Sequence, residues 1–544
     1  MRAILNRMFG GFVAIAFLLG ASATASAQGS GCFRLPVGST VPEPEDLFSR
    51  NGVLTVSFSY ETSTDENGNP LFCYVLADGE QSPTLHVHPG DVLKLTFTND
   101  TPAPASSDAM QMQMSLSGTD VCGATTMDSS STNVHFHGTN TPPVCHQDEV
   151  IHTLINSGQT FTYQVHFPSD EPPGMYWYHP HAHGLVDMSV LGGATGAIII
   201  DGIENLQPKV AGLTQRVLVV RDNPVPGDPQ PGGLVPSKDL SLNFIPVPYP
   251  SYPPAVIPTT GKREFWRVAN TCADTVLDLQ LLYDGKPQPF EIVALDGVPV
   301  DSQDGSRRGK IISKTSIFLP TASRAEFIVK PPNPNVKKAE LVTLNINTGP
   351  VGDDDPTRPL ATIQTATTSA SQSVQAPASI PNVSGPPNRQ RFEGLAQAKP
   401  TTERTLYFSE TQPTPNGQQT FFITVVGQTP VAFNPNNPPA ITTTRGSVED
   451  WTIQNRSQEI HEFHIHQTHF LLLEQNGKPV SAQQRQFLDT VNVPFWSDKG
   501  PYPSVKVRID FRGPIIGDFV YHCHILEHED GGMMAIIRVL APSK

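Results

Sequence analysis

The chain is 544 residues long and carries 51 acidic against 36 basic side chains, a formal net charge of −15. That balance excludes a nucleic-acid binder and disfavours adhesion to anionic membrane surfaces, since both need a cationic face. With 53 Pro and 42 Gly punctuating short Val/Ile/Thr/Phe runs, the pattern is that of an all-β protein rich in turns.

The chain opens with Arg2 and Arg7, an apolar run from about Phe12 to Leu19, and Ala25-Ser26-Ala27. This is the pattern of a secretory leader cut near Ala27. No Arg pair precedes the apolar run, so twin-arginine export is not indicated. No later stretch is long and apolar enough to span a bilayer. The expected destination is the periplasm or the medium, and the six Cys are read in that oxidising setting. Cys32, Cys73, Cys122 and Cys145 allow three pairings, of which Cys32–Cys73 with Cys122–Cys145 is preferred. Cys272 is expected to be buried and inert.

Three segments share a frame in which a Gly opens and an Asn closes an alternating strand: Gly90 to Asn99, Gly261 to Asn270, and Gly446 to Asn455. Their nearly even spacing predicts three successive units. A stretch rich in Ser, Ala, Thr, Gln and Pro from about Thr365 to Pro400 reads as a linker. The expected organisation is a leader over 1–27, domains over 28–203 and 204–375, a linker over 376–400, and a third domain over 401–544. A second echo joins only the outer units. Gly174-Met-Tyr-Trp-Tyr-His179 matches Gly517-Asp-Phe-Val-Tyr-His522, each a strand arriving at a histidine. No His lies between His183 and His461. The middle unit is therefore expected to be structural, or to lend surface to a substrate site.

Of 17 His, ten fall in four clusters, each holding a His-x-His pair: His135/His137, His179/His181, His464/His466 and His522/His524. On a strand, residues i and i+2 share a face about 6.5–7 Å apart. One pair then reaches two neighbouring metals, and four pairs offer eight imidazoles to a three-metal cluster. Met110, Met112 and Met114 alternate as one apolar strand face would, with Cu(I) contact as the alternative. His86 and His88 are read as the polar face of a strand, and His146, His152, His166 and His469 have no partner spacing.

The last cluster organises the rest. In Tyr521-His522-Cys523-His524, alternation points both His one way and Cys523 the other. His528 and Met533 follow. A thiolate, imidazoles and a distant thioether make a blue-copper site, which needs one further His from the rest of the sequence. Zinc would need neither the Cys alternation nor the Met.

These motifs, with Asp489-Thr-Val-Asn-Val-Pro494, resemble the three-domain multicopper oxidases, laccase-like proteins built of cupredoxin domains. The resemblance runs from about residue 50 to 541. It implies three consecutive cupredoxin-like Greek-key β-barrels and four copper ions: one type 1, one type 2 and two type 3. By this resemblance His461, Cys523, His528 and Met533 hold the type 1 ion, and His135 and His464 the type 2 ion. His137, His179 and His524 would hold one type 3 ion, and His181, His466 and His522 the other. It further implies that a reductant yields electrons at type 1, that these pass through Cys523 and its neighbours, and that O2 is reduced to water.

Glu529 matches a position that feeds protons to the cluster. A second acid usually follows the first His-x-His-Gly; here His146 stands at that position, and Asp148, just beyond, is the candidate. Glu462 replaces a common Pro and is read as facing solvent, with tuning of the type 1 site as the alternative. His183 is read as supporting rather than ligating. The short span from His466 to His522 suggests an open type 1 site, hence phenols or aromatic amines as donors. The alternative is a metallo-oxidase of Cu(I), Fe(II) or Mn(II). A reading of another class is a secreted copper-binding or copperless scaffold. The expected partners are O2 and a small reductant, with no nucleic acid or membrane, and the chain is expected to be monomeric.

Overall fold

The computed structural model describes residues 31–104, 121–225, 235–302, 309–365, 391–411 and 419–542. The leader, the Met110, Met112 and Met114 run, and most of the expected linker lie outside the described residues. Among the described residues, six sheets fall into three pairs, and each pair closes on its own apolar core. The result is three cupredoxin-like domains in series.

The Gly-to-Asn frame marks the same strand in each. Val92–Asn99 pairs parallel with Val53–Thr64 and antiparallel with Thr160–His166. Glu264–Asn270 pairs parallel with Thr214–Pro224 and antiparallel with Arg324–Val329. Val448–Asn455 pairs parallel with Thr402–Glu410 and antiparallel with Ser504–Asp510. In the first of these, Leu93, Leu95 and Phe97 point inward while Lys94 is exposed, the period-2 pattern of a half-buried strand. Gly90, Gly261 and Gly446 turn the chain at φ +92°, +74° and +106°, where a side chain would be strained.

The closing Asn has a structural task that explains its recurrence. Asn99, Asn270 and Asn455 are wholly buried. Each donates Nδ2–H to carbonyls of neighbouring loops: Ser130 and Ile155, then Thr275, Leu319 and Pro320, then Glu459 and Val493. Each accepts at Oδ1 from the backbone N–H two residues on, in Thr101, Cys272 and Ser457. Buried loop groups that no sheet ladder reaches are satisfied this way. The second and third domains also share a buried triad. Glu264 accepts from Trp266 Nε1–H and Arg216, and Glu449 accepts from Trp451 Nε1–H and Arg404.

The outer echo is equally concrete. His135–His137 pairs with Gly174–His179 so that His135 lies opposite His179. His461–Ile465 pairs with Gly517–Cys523 so that His464 lies opposite His522. Each outer domain thus offers a two-strand rack of imidazoles.

The preferred disulfides, Cys32–Cys73 and Cys122–Cys145, are both formed, and Cys272 is buried and free. Near the N-terminus the chain also leans on the second domain, with Thr40 bridging to Val256 and Leu35 N–H bonding to the Phe244 carbonyl. No helix among the described residues is long and apolar enough to cross a membrane.

Candidate metal centres

Cys523 is fully buried at the end of the Gly517–Cys523 strand. Its Sγ lies 3.6 Å from His461 Nδ1 and 3.7 Å from His528 Nδ1, and the two nitrogens are 3.0 Å apart. The far nitrogens are tied back, His461 Nε2 to Ser457 Oγ at 2.7 Å and His528 Nε2 to Glu459 Oε1 at 3.3 Å. Both Nδ1 atoms are therefore left facing the sulfur. Met533 is buried in the same core, and its carbonyl accepts from Cys523 N–H. Burial pushes the Cys523 thiol up, opposed by the Glu462 N–H that donates to Sγ at 3.3 Å. A thiolate at this place needs a cation to balance it, and one soft sulfur beside two imidazoles fits copper.

On the opposite side of the same strand, the remaining pairs meet. The groups His135/His137/His464, His137/His179/His524 and His181/His466/His522 each place their ligand atoms within 4.8 Å of one another, all buried. His135 Nε2, His137 Nδ1, His179 Nε2, His464 Nε2 and both nitrogens of His524 have no hydrogen-bond partner. Orphaned buried nitrogens are costly unless something fills the space between them. Burial drives His137, His179, His464, His466 and His524 far below the usual imidazole range, and neighbouring imidazoles add to it. His181 is pushed down to about 3. These groups are neutral, which is the form that binds a metal. The donor set fits copper at both places.

Both acids singled out from sequence lie against this cluster. Asp148 is buried, with Oδ1 3.0 Å from His135 Nδ1 and also accepting from Phe136 N–H, while Oδ2 accepts from Gln467. Glu529 is buried with Oε2 3.0 Å from His522 Nδ1 and Oε1 3.6 Å from His181 Nε2. Burial opposes its ionisation, but His181 and His522 outweigh it and hold the carboxyl below its usual range. His146, at the position the acid usually takes, is exposed and stacks on Phe161 instead. His183 packs edge-on against Phe433 and lies 3.9 Å from Asp530.

Glu462 does not face solvent as expected. It is fully buried, accepts from Asn492 at 3.0 Å through Oε1, leaves Oε2 unpartnered, and is pushed up to about 8 by burial. On the His461–Ile465 strand it shares a face with His464, so the burial of one implied the burial of the other. His86, read as a strand's polar face, is buried between Asp46 and Asp201, each 3.2 Å from a ring nitrogen.

A cavity of about 160 Å³ opens on His528, lined in part by Asp274, Asp353, Phe421, Glu459 and Glu527. His528 itself is only 6% exposed, because Phe421 stacks on its ring at 4.4 Å. The open site expected from the short His466–His522 span is therefore not what the structure has: the cover comes from the strand Phe421–Val425, earlier in the chain. Lys238 lies 3.1 Å from Asp274 and 3.5 Å from Asp353. Burial and neighbouring Glu410 push Glu459 up to about 10. Even so, the cavity keeps an excess of negative charge. Asp274 and Asp353 come from the His-free middle domain, which thus lends surface to this cavity.

Several contacts escaped the sequence. Ser457 and Glu459 back the two imidazoles beside Cys523, Gln467 holds Asp148, and Thr321 Oγ–H donates to the His524 carbonyl. Ser457 and Glu459 lie just ahead of His461 on the loop entering its strand, a closeness that pointed to them; the others are long-range.

Comparison with known proteins agrees with this geometry. Residues 400–543 and 124–205 each match a family model described as multicopper oxidase. A laccase of Bacillus subtilis is 24% identical over 457 residues, covering 76% of this chain and 80% of that protein. The McoA multicopper oxidase of Aquifex aeolicus superposes with a TM-score of 0.67 at 20% identity, over 92% of this chain and 99% of that one. A multicopper oxidase from Campylobacter jejuni, described as a metallo-oxidase, gives 0.65 at 22% identity, over 94% and 96%. These two likenesses bear on the fold, and they accord with the motifs and the His-Cys geometry. The chain belongs to the multicopper oxidase family: it is a laccase-like copper oxidoreductase that uses O2.

Proposed function

We propose that this protein couples oxidation of a small cationic reductant, a metal ion such as Cu(I), Fe(II) or Mn(II), to reduction of O2 to water. Four copper ions would supply that chemistry, one-electron oxidation at one centre and four-electron reduction of O2 at the other three. His461, Cys523 and His528 would hold the first, with Met533 as distant axial partner. His135 and His464, His137/His179/His524, and His181/His466/His522 would hold the rest. The observation that carries the reading is the set of inward-facing, unpartnered nitrogens set back-to-back with the Cys523 sulfur across one strand.

The chain's own residues divide the work. Cys523 is bonded in sequence to His522 and His524, so the two centres are joined through a few covalent bonds. Asp148 and Glu529 sit in contact with His135 and His522, where each would orient the ring and pass protons toward the cluster. The choice of a cationic donor over a phenol rests on the cavity at His528. Its volume is below the roughly 300 Å³ of a usual small-molecule pocket, and its carboxylates favour a cation. Apolar Phe421, Ile460 and Ile525 in the same lining keep an aromatic amine as the second reading.

The deciding measurement is steady-state O2 uptake of the copper-loaded protein against Cu(I), Fe(II), Mn(II) and neutral phenols. Dominant turnover on phenols would overturn the donor, and a copper-loaded protein with no O2 uptake on any donor would leave a carrier. Cys523→Ser is expected to fold, to lose the blue absorption and to lose all turnover; retained turnover would sink the two-centre scheme. The two disulfides support maturation outside the cytoplasm, which N-terminal sequencing of exported protein beginning just after Ala27 would test.

A further inference from the structure

We propose that Arg324, from the domain without histidines, is a positioning residue for the O2-reducing cluster, acting through Asp489. The inference rests on the ligand set proposed above and adds two residues to it.

Arg324 is wholly buried where the three domains meet. Its guanidinium grips Asp489 of the third domain with two bonds, Nη1 to Oδ1 at 2.9 Å and Nη2 to Oδ2 at 2.7 Å. Nε donates to the Met175 carbonyl, on the first-domain strand that ends at His179. Nη1 also donates to the Ala322 carbonyl, and Asp296 accepts from the Arg324 backbone N–H. Such a planar fork, held on both sides, fixes direction as well as charge.

Asp489 in turn touches the rear of two rings. Its Oδ1 is 3.3 Å from His137 Nε2, and its main-chain carbonyl is 2.8 Å from His464 Nδ1. The opposite nitrogens, His137 Nδ1 and His464 Nε2, are those left unpartnered in the cluster. Accepting a hydrogen bond from the rear N–H fixes the tautomer that presents a lone pair at the front. His137 presents Nδ1 whereas His135, beside it in the same motif, is held by Asp148 so as to present Nε2. One residue therefore sets two ring orientations, and Arg324 sets that residue. Thr490 Oγ–H and the Asp296 carboxylate, which accepts from Asp489 N–H, complete its restraint. The space is fully taken: a Cβ on Gly138, next to His137, would collide with the Arg324 guanidinium and the Asp489 carboxylate.

The test compares copper-loaded Arg324→Lys and Asp489→Asn with the native protein. Lys keeps the charge but not the fork, and Asn keeps the shape but not the charge. In both, the blue absorption and the midpoint potential of the Cys523 centre are expected to stay as they are. The paramagnetic resonance signature of the copper at His135/His464 is expected to change, copper content to drop below four, and O2-dependent reoxidation to slow by about 10- to 100-fold. Unchanged resonance and reoxidation in both variants would refute the proposal. So would parallel loss of the blue centre and the cluster, which would make Arg324 only a fastener between domains. A native protein that binds copper at the Cys523 centre alone would instead sink the underlying ligand set, a separate result.

Discussion

Removing charge from the cavity at His528 tests the donor reading most directly. Glu527 and Asp353 both line it, and Glu527 is exposed, so the dielectric of water is the fair limit for it. A dication held about 5 Å from one carboxylate gains roughly 1.7 kcal/mol in water, and more wherever the cavity wall excludes solvent. Since 1.36 kcal/mol is a factor of ten, Glu527→Gln should raise KM for Fe(II) roughly tenfold. Asp353 is shared with Lys238 at 3.5 Å, so Asp353→Asn should cost about half as much in free energy, roughly threefold. The pair together should approach thirtyfold, with kcat little changed, because neither residue contacts the imidazole nitrogens or the sulfur. KM for a neutral phenol should move less than about twofold, and the steep rise of the Fe(II) KM with salt should flatten in the double variant. O2 uptake at fixed ionic strength, with the blue absorption as a check on the Cys523 centre, reads all of these. Equal shifts for cation and phenol, or no shift for either, would refute the electrostatic argument.

Two further outcomes follow from buried polar groups. His86 lies between Asp46 and Asp201 with a carboxylate oxygen 3.2 Å from each ring nitrogen; burial opposes its charge, yet the two acids win and push it up to about 9. Because the folded value is raised, its stabilisation is complete below about pH 6.5 and fades as pH rises through about 9, on the order of 3 kcal/mol in all; thermal melts of native protein and His86→Gln should differ at pH 6 and converge at pH 10. Asn455→Ala removes bonds to the Glu459 and Val493 carbonyls and from Ser457 N–H and Oγ–H, a loss of about 4 kcal/mol at roughly 1 kcal/mol per bond. Denaturant unfolding should show that loss, and an unchanged midpoint would mean the frame's closing Asn is dispensable.

The grouping of the histidines about Cys523 was legible because a strand's period of two is written in the sequence itself. His-x-His on one face and Cys523 on the other require no knowledge of the fold, only of alternation. The Gly-to-Asn frame was legible for a similar reason, since the turn and the buried amide recur wherever the same loop groups need partners. The same rule, pressed further, would have placed Glu462 indoors, two residues from His464 on one strand face. What stayed hidden is contact without period. Phe421 covers His528 from just over a hundred residues away, and no pattern within either segment records it. Arg324 was invisible for the same reason: its own strand reads as a buried run, and its partner Asp489 appears only as part of a motif.

The absence of histidine from the middle domain pointed to a structural part or to surface lent to a substrate site, and its contacts reach both histidine-bearing regions. Asp274 and Asp353 put its carboxylates at the donor end, and Arg324 puts its guanidinium behind the O2 end. Between them, Thr321 bonds the His524 carbonyl, and the Ala273 carbonyl accepts from Leu526 N–H, so the segment carrying Cys523 is held on its far side by the same domain. A ligand-free domain is suited to this role. Its core, built around Trp266, Phe290 and Phe327, is free of the unpartnered imidazoles that burden the outer two. The unpartnered imidazoles are thereby confined to the faces of its neighbours.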